Sequence, residues 1–202
     1  PTVAIAVGGA EDLAGNAMNA STEATFAIDM QNPEVTGLTV SDASINDAYV
    51  AAGTKLTVTV VYGEDMLDTS APTFAFGSVA SDTFALDVAA SGWTDARTYV
   101  AVFDVADNSE SFDDVSITVT GAEDGAGNVQ TSYPKSGVLA IDTKNPTVTG
   151  VSVLDQLITD ADTGAGKPCT GTVTCDEAMK DTAPSIAFSP DVSSTLTLVE
   201  AS

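Results

Sequence analysis

Two near-identical acidic loops contain the side chains best suited to binding a ligand. The loop GAEDLAGN returns later in the chain as GAEDGAGN, with seven of the eight residues identical. Each copy places Asp and Asn side chains around a tight bend that its glycine permits. Hard oxygen ligands of this kind suit calcium, although the same residues would also form a simple hairpin turn that bonds its own backbone. The candidate calcium ligands are Asp12, Asn16, Asp124 and Asn128.

A second sequence stretch repeats at almost the same distance. IDMQNPEVTGLTVSD matches IDTKNPTVTGVSVLD at nine of fifteen positions with an offset of 113 residues, and the acidic loop recurs at an offset of 112. The chain is therefore a repeat array, with Asn32-Pro33 and Asn145-Pro146 as equivalent boundaries. The predicted segments are the end of a preceding repeat (1–32), a complete repeat (33–145) and the beginning of a following repeat (146–202).

The elements that position these loops are predicted to be strands. In KLTVTVVYG, apolar side chains alternate with polar ones, which is typical of a half-buried strand, and no convincing helical period is found. Seven short strands separated by Gly, Asp, Asn and Pro indicate an all-β fold, an antiparallel β-sandwich of about 113 residues repeated in tandem. The predicted strands lie within residues 34–42, 55–63, 73–77, 82–88, 97–105, 114–121 and 137–143.

Composition excludes several classes of function. A net charge of −23 would repel nucleic acid and anionic membrane surfaces, and no run of about 18 apolar residues predicts a membrane span. The absence of histidine excludes His-based acid/base chemistry and the usual zinc sites, so we expect no enzyme. The beginning at Pro1 suggests a mature interior fragment. The acidity itself suits either calcium binding or solvation in a salty environment.

Two further groups of reactive side chains have structural explanations. Cys169 and Cys175 lie six residues apart in one predicted strand, about 20 Å if extended, so we expect buried free thiols rather than a disulfide. The carboxylates of Glu64, Asp65 and Asp68 could form a glycosidase pair, but similar residues recur in the next repeat, as Glu177 and Asp181. A catalytic pair is rarely duplicated in every repeat, so an acidic turn is the favoured interpretation.

The repeated motifs resemble those of bacterial Ig-like repeats. LTVTVVYGEDMLDTSAPTFAFG and its counterpart CTGTVTCDEAMKDTAPSIAFSP each contain a strand followed by a Glu-x-Met turn, and the repeats end in VTGAEDGAGN and AVGGAEDLAGN. Such repeats occur in very long surface adhesins and in surface-layer proteins. The resemblance covers essentially the whole chain and implies an Ig-like sandwich at the cell surface, outside the cell.

The resemblance also implies where calcium would bind and what the protein would do. In similar adhesin repeats, the late acidic loop and an acidic linker bind calcium between neighbouring domains. The expected function is a stalk repeat that holds an adhesin away from the cell, with neighbouring repeats as partners and an unidentified adhesive ligand. The alternative is a module of a surface-layer lattice or filament, in which adjacent copies pack together. The implied linker ligands are Asp29, Asn32, Asp142 and Asn145.

Overall fold

The chain is almost entirely β-structure and divides into two compact units. The computed structural model describes residues 1–19, 21, 24–162, 168–182, 184–192 and 196. One unit comprises residues 1–144 and the other residues 145–202. Strands account for 42% of the chain and helix for 4%, so the predicted all-β class is confirmed. No helix in the described part is long and apolar enough to span a bilayer.

Thirteen strands and one short α-helix make up the described secondary structure. The strands are β1 (Thr2–Ile5), β2 (Ala24–Ala27), β3 (Val35–Val40), β4 (Ser44–Asn46), β5 (Leu56–Tyr62), β6 (Thr73–Phe76), β7 (Phe84–Leu86), β8 (Gly92–Trp93), β9 (Thr98–Val105), β10 (Ser111–Thr120), β11 (Tyr133–Asp142), β12 (Val148–Val153) and β13 (Gly171–Cys175). The helix α1 spans Asp47–Ala51, and a single 3₁₀ turn spans Asp160–Asp162.

Residues 33–144 contain two sheets that share one hydrophobic core. Their strand orders are β3-β5-β9-β7, with β8 added at β9, and β4-β11-β10-β6. In β5 and β10 the buried side chains alternate with more exposed ones, because successive residues of a strand point to opposite faces. The core draws on both sheets, including Leu38, Val58, Ala101, Phe103, Val115, Ile117, Leu139 and Ile141.

All seven strands expected in residues 33–145 are present, but three short elements were missed. Strands β4 and β8 are too short to show an alternating pattern, and β4 pairs with β11 in parallel, so the predicted purely antiparallel pairing is wrong there. The expectation of no helix is also wrong, because α1 forms one turn whose N-cap Asn46 accepts a 3.0 Å hydrogen bond from the Tyr49 amide. A helix this short leaves no helical period in the sequence.

The flanking segments reproduce the strand pairing of the central one. β12 pairs with β13 in the register of β3 with β5, since Val148 opposite Cys175 matches Val35 opposite Tyr62 at an offset of 113. Both pairs carry an irregularity directly after this position. The repeat seen in the sequence is thus also a repeat of backbone hydrogen bonding.

Side chains of the two flanking strand pairs are more exposed than their counterparts in residues 33–144. Val151 is 72% exposed, whereas Leu38, its repeat counterpart, is 3% exposed in the core. The same difference affects the cysteines: both are free thiols as expected, but Cys169 is exposed and Cys175 only half-buried. The expectation of buried thiols is wrong for Cys169, because the described residues of the second unit form only the two-stranded sheet β12–β13, whereas in 33–144 a second sheet covers Leu56.

Candidate functional site

The loop after β10 holds Asp124 in a fixed orientation. One carboxylate oxygen, Oδ1, accepts hydrogen bonds from the backbone N–H groups of Ala126 at 2.8 Å and Asn128 at 2.9 Å. The other oxygen accepts from Asn128 Nδ2 at 2.8 Å. The Asn128 side-chain bond is the main reason that the pKa of Asp124 lies below its ordinary value. Asp124 is thus held as a carboxylate although its side chain is nearly inaccessible to solvent.

The earlier copy of the loop has the same internal geometry. Asp12 Oδ1 accepts from the amides of Ala14 at 2.9 Å and Asn16 at 2.8 Å, and Oδ2 accepts from Asn16 Nδ2 at 2.7 Å. The Asn16 side-chain bond is again the main cause of a lowered aspartate pKa. Both loops are therefore Asp-stabilised turns. This geometry explains the Asp and Asn in each loop without a metal, and only their surroundings can distinguish a turn from a ligand site.

The surroundings of Asp124 come from two other segments. The Leu67 amide donates to the carbonyl of Glu123 at 2.8 Å, and Met66 forms an isolated β-bridge with Asp124, so the loop lies against the turn that follows β5. On its other side, Asn128 Nδ2 lies 3.5 Å from the backbone carbonyl of Asp29 in the linker that precedes β3. The loop thus joins a linker and a turn that are far apart in sequence.

Three carboxylates meet where these segments join. Oxygens of Asp29, Glu64 and Asp124 all lie within 4.8 Å of one another, and we call this group the acidic triad. Burial is the main reason that the pKa of Glu64 is raised, and the charges of Asp29 and Asp124 raise it further. Arg97 opposes this effect in part; its Nε donates to Asp65 Oδ1 at 2.6 Å. Asp65 is therefore held in an ion pair.

The spacing of the acidic triad suits a hard divalent cation. Calcium binds oxygens at about 2.3–2.6 Å, so two ligands of one ion lie at most about 5 Å apart. Three carboxylates would supply part of a shell of about six to eight oxygens, with water and carbonyl groups such as that of Asp29 as further ligands. A cation here would also neutralise the repulsion from Asp29 and Asp124, which adds to the effect of burial in raising the pKa of Glu64.

Of the eight sequence-predicted ligands, the structure brings Asp29 and Asp124 together, with Asn128 beside them. Asn32 is exposed, and neither it nor Asp12 belongs to the acidic triad. Asp142 is exposed at the far end of β11, about 30 Å along that strand from the end where the chain enters it from the Asp124 loop. Asn145 is exposed at the beginning of the second unit. The order of loop and then linker suggested pairing Asp124 with the linker that follows, whereas in the structure it meets the linker that precedes the domain.

Sequence reasoning missed Glu64, which was assigned to an acidic turn. Its recurrence as Glu177, at the same offset of 113 that relates Asp29 to Asp142, was the available signal. Of the other two carboxylates in that turn, Asp65 bonds Arg97 and Asp68 is exposed. What could not be inferred is that the turn containing Glu64 and the linker meet in space.

The acidic triad predicts opposite titration behaviour for two of its members. In calcium-free buffer the folded state binds a proton on Glu64 more readily than the unfolded chain, so this carboxyl's contribution to stability improves as the pH falls from its raised pKa toward its ordinary value of 4.5. Asp124 contributes stability above its ordinary value of 3.8, and this is lost as the pH falls through its lowered pKa. Carboxyl-carbon NMR titration checks both directions; a Glu64 midpoint at or below its ordinary value contradicts the prediction.

Comparison with known proteins gave no match to a protein-family model, to a curated protein or to a solved structure.

Proposed function

We propose that this chain is an extracellular spacer of a bacterial surface adhesin, built from Ig-like repeats and stiffened by calcium where a linker meets a domain. The strand order of residues 33–144 supports the fold. Sheet β3-β5-β9-β7 corresponds to strands A, B, E and D of an Ig-like sandwich, and β6, β10 and β11 correspond to C, F and G. The shared core between the two sheets accords with that assignment.

The acidic triad is the observation that carries the proposal. Asp29 belongs to the linker, whereas Glu64 and Asp124 belong to loops at one end of the domain. Without a counter-ion their like charges push the linker away from the domain. A divalent cation bound between the linker and the domain would attract the carboxylates of both. It would therefore hold the linker against the domain and make the junction rigid. A spacer needs this property, because a flexible junction would shorten its reach.

The repeat supplies the same residue types at other junctions. Asp142 and Glu177 correspond to Asp29 and Glu64 at an offset of 113, and Asp12 corresponds to Asp124 at 112. A structural site shared by every repeat would be expected to recur in this way. A catalytic or ligand-binding site would more often be found once, on a loop that differs between repeats.

The alternative function, a module of a surface lattice or filament, is favoured by a different observation. The strand pairs β1–β2 and β12–β13 expose apolar side chains, including Ile5 at 50% and Val151 at 72%. Exposed apolar strands of this kind are suited to packing against another chain. A spacer and a lattice module share the same fold and differ in whether contacts between chains form.

Calcium binding by the whole chain tests the proposed spacer function. We expect calcium, compared with chelator at matched ionic strength, to raise the melting temperature and to slow hydrogen exchange of the linker amides around Asp29. Asp29→Asn should weaken calcium binding by roughly tenfold, equivalent to about 1.4 kcal/mol. Asp113→Asn, an exposed carboxylate on β10 outside the acidic triad, is the control that removes the same charge.

Two outcomes would overturn the proposal. One is that calcium, at matched ionic strength, changes neither the melting temperature nor the hydrogen exchange of the linker amides beyond the stabilising effect that sodium chloride has. This result would assign the acidity to solvation in salt. The other is an equal loss of calcium affinity in the Asp29 and Asp113 variants, which would show a diffuse charge effect rather than a site.

A further inference from the structure

A groove lined by aromatic side chains opens between the edge strands β6 and β7. Its volume of about 480 Å³ is within the range typical of ligand pockets. All of its lining residues lie between Pro72 and Phe103, so the groove belongs to the domain in which both sheets are present. Phe84 and Phe103 are 8% and 3% exposed, whereas Phe74 and Phe76 are only half-buried. The groove therefore presents apolar surface that a ligand would cover.

The backbone beside the groove also offers hydrogen-bonding groups. β6 is the last strand of its sheet and pairs antiparallel with β10. The Gly77 amide donates to the Ser116 carbonyl at 2.9 Å, and in an antiparallel pair such bonds recur at every second residue. The N–H and C=O groups of Phe74 and Phe76 fall between the bonded positions and point away from β10, toward the open edge. The residues whose rings line the groove thus also present their backbone beside it.

The opposite side of the sandwich is protected against strand addition. The Leu38 carbonyl, at the free edge of β3, accepts a hydrogen bond from Lys135 Nζ at 2.9 Å. A lysine at a sheet edge is one of the usual devices that prevent a further strand from pairing there. β6 has the sequence Thr-Phe-Ala-Phe, without a charge, and its pairing with β10 has no register irregularity. Its edge is therefore suited to accept another strand.

The charges around the groove favour a cationic partner. Residues 56–96 contain six carboxylates and neither Lys nor Arg. The two cations that flank this stretch, Lys55 and Arg97, are already held in ion pairs with aspartates. A second copy of this chain, with its net charge of −23, would be repelled, whereas a segment that carries Lys or Arg would be attracted.

We propose that this groove binds an extended segment of another protein, in which apolar side chains alternate with polar ones and Lys or Arg residues flank them. The segment would add to β6 as a further strand, bonded to the backbone of Phe74 and Phe76. Every second side chain would then enter the groove, because successive side chains of a strand point to opposite faces. This binding goes beyond the role of a spacer and does not require calcium at the acidic triad.

Selection from a library of random peptides displayed on phage, against the 202-residue chain in chelator, tests the class of ligand. We expect enriched sequences with apolar residues at alternate positions and a flanking Lys or Arg. Leu86→Asp puts a charge into the groove at a residue already 40% exposed, and it should weaken binding of the enriched peptides by about tenfold or more. Val88→Asp adds the same charge outside the groove, at a residue 75% exposed, and should leave their binding nearly unchanged.

Hydrogen exchange tests strand addition without any substitution in the protein. In the free chain the amides of Phe74 and Phe76 should exchange quickly, and the Ala75 amide, which is bonded to Thr118, should exchange slowly. A synthetic copy of an enriched peptide should protect Phe74 and Phe76. Methylation of the peptide's backbone nitrogens that face β6 should abolish binding, whereas methylation of the alternate nitrogens should not.

Three results would overturn the proposal. The groove is not the site if no peptide is enriched, or if the enriched peptides bind the Leu86→Asp and Val88→Asp variants equally well. Strand addition is excluded if a bound peptide leaves the amides of Phe74 and Phe76 unprotected. The preference for a cationic partner is wrong if Glu in place of the flanking Lys or Arg does not weaken binding. All of these measurements are made in chelator, so they can fail while the Asp29→Asn variant still supports calcium binding at the acidic triad.

Discussion

Replacing Leu56 with alanine is expected to lower the free energy of unfolding of the domain formed by residues 33–144 by about 3–4 kcal/mol, the usual cost of a buried Leu→Ala cavity. Leu56 is 0% exposed and lies opposite Phe103 on β9, so its side chain fills the space between the two sheets. Urea denaturation followed by Trp93 fluorescence measures the loss. Trp93 is the only tryptophan in the chain and packs against the same core.

The repeat provides a matched control at the equivalent position. Cys169 corresponds to Leu56 but is exposed, so Cys169→Ala should change stability by no more than about 0.5 kcal/mol. A small loss for Leu56→Ala would contradict the assignment of a closed core to residues 33–144. A large loss for Cys169→Ala would show that residues 145–202 bury this position under a cover of their own.

Replacing Glu64 with glutamine is expected to change stability in opposite directions with and without calcium. In chelator the substitution removes one of three like charges from the acidic triad and should raise the melting temperature, because the raised pKa of Glu64 shows that its charged form is disfavoured there. In calcium it removes a ligand and should weaken calcium affinity by roughly tenfold or more, or about 1.4 kcal/mol. Calorimetric melting in the two buffers measures the change in melting temperature, and a calcium titration measures the change in affinity.

Asp65→Asn is the matched control for Glu64→Gln. It removes a carboxylate from the adjacent residue, but Asp65 bonds Arg97 and is not a member of the acidic triad. It should leave calcium affinity nearly unchanged. If Glu64→Gln were destabilising in chelator as well, the carboxylate would be serving as an ordinary hydrogen-bond partner and the cation explanation would lose its basis.

The strands were predictable because their signal is local. In KLTVTVVYG, alternation alone places Leu56, Val58, Val60 and Tyr62 on one face, and all four are buried in the structure. The short elements β4, β8 and α1 were not predictable, since two to five residues cannot establish a period. The parallel pairing of β4 with β11 depends on the chain changing from the sheet of β3 to the sheet of β11, which no alternating pattern encodes.

The candidate site was only partly predictable. Repetition identified Asp29 and Asp124, but it offered no way to decide which linker each loop faces. β11 runs antiparallel to β10 and carries the chain back to the end of the sheet where β10 begins, so the linker after the domain leaves from the end opposite the Asp124 loop. The linker before the domain is the one that lies beside that loop. The same fold places Glu64 beside them, 35 residues from Asp29 and 60 from Asp124 in sequence.

The sequence by itself determined the all-β class, the 113-residue period, the acidic loops and the exclusion of His-based chemistry, because composition, alternation and repetition are properties of the linear chain. Tertiary structure alone decided which carboxylates meet and which thiols are exposed. These depend on the separation of atoms in space, and the carboxylates of Asp29, Glu64 and Asp124 come within 4.8 Å only after two sheets have closed on a common core.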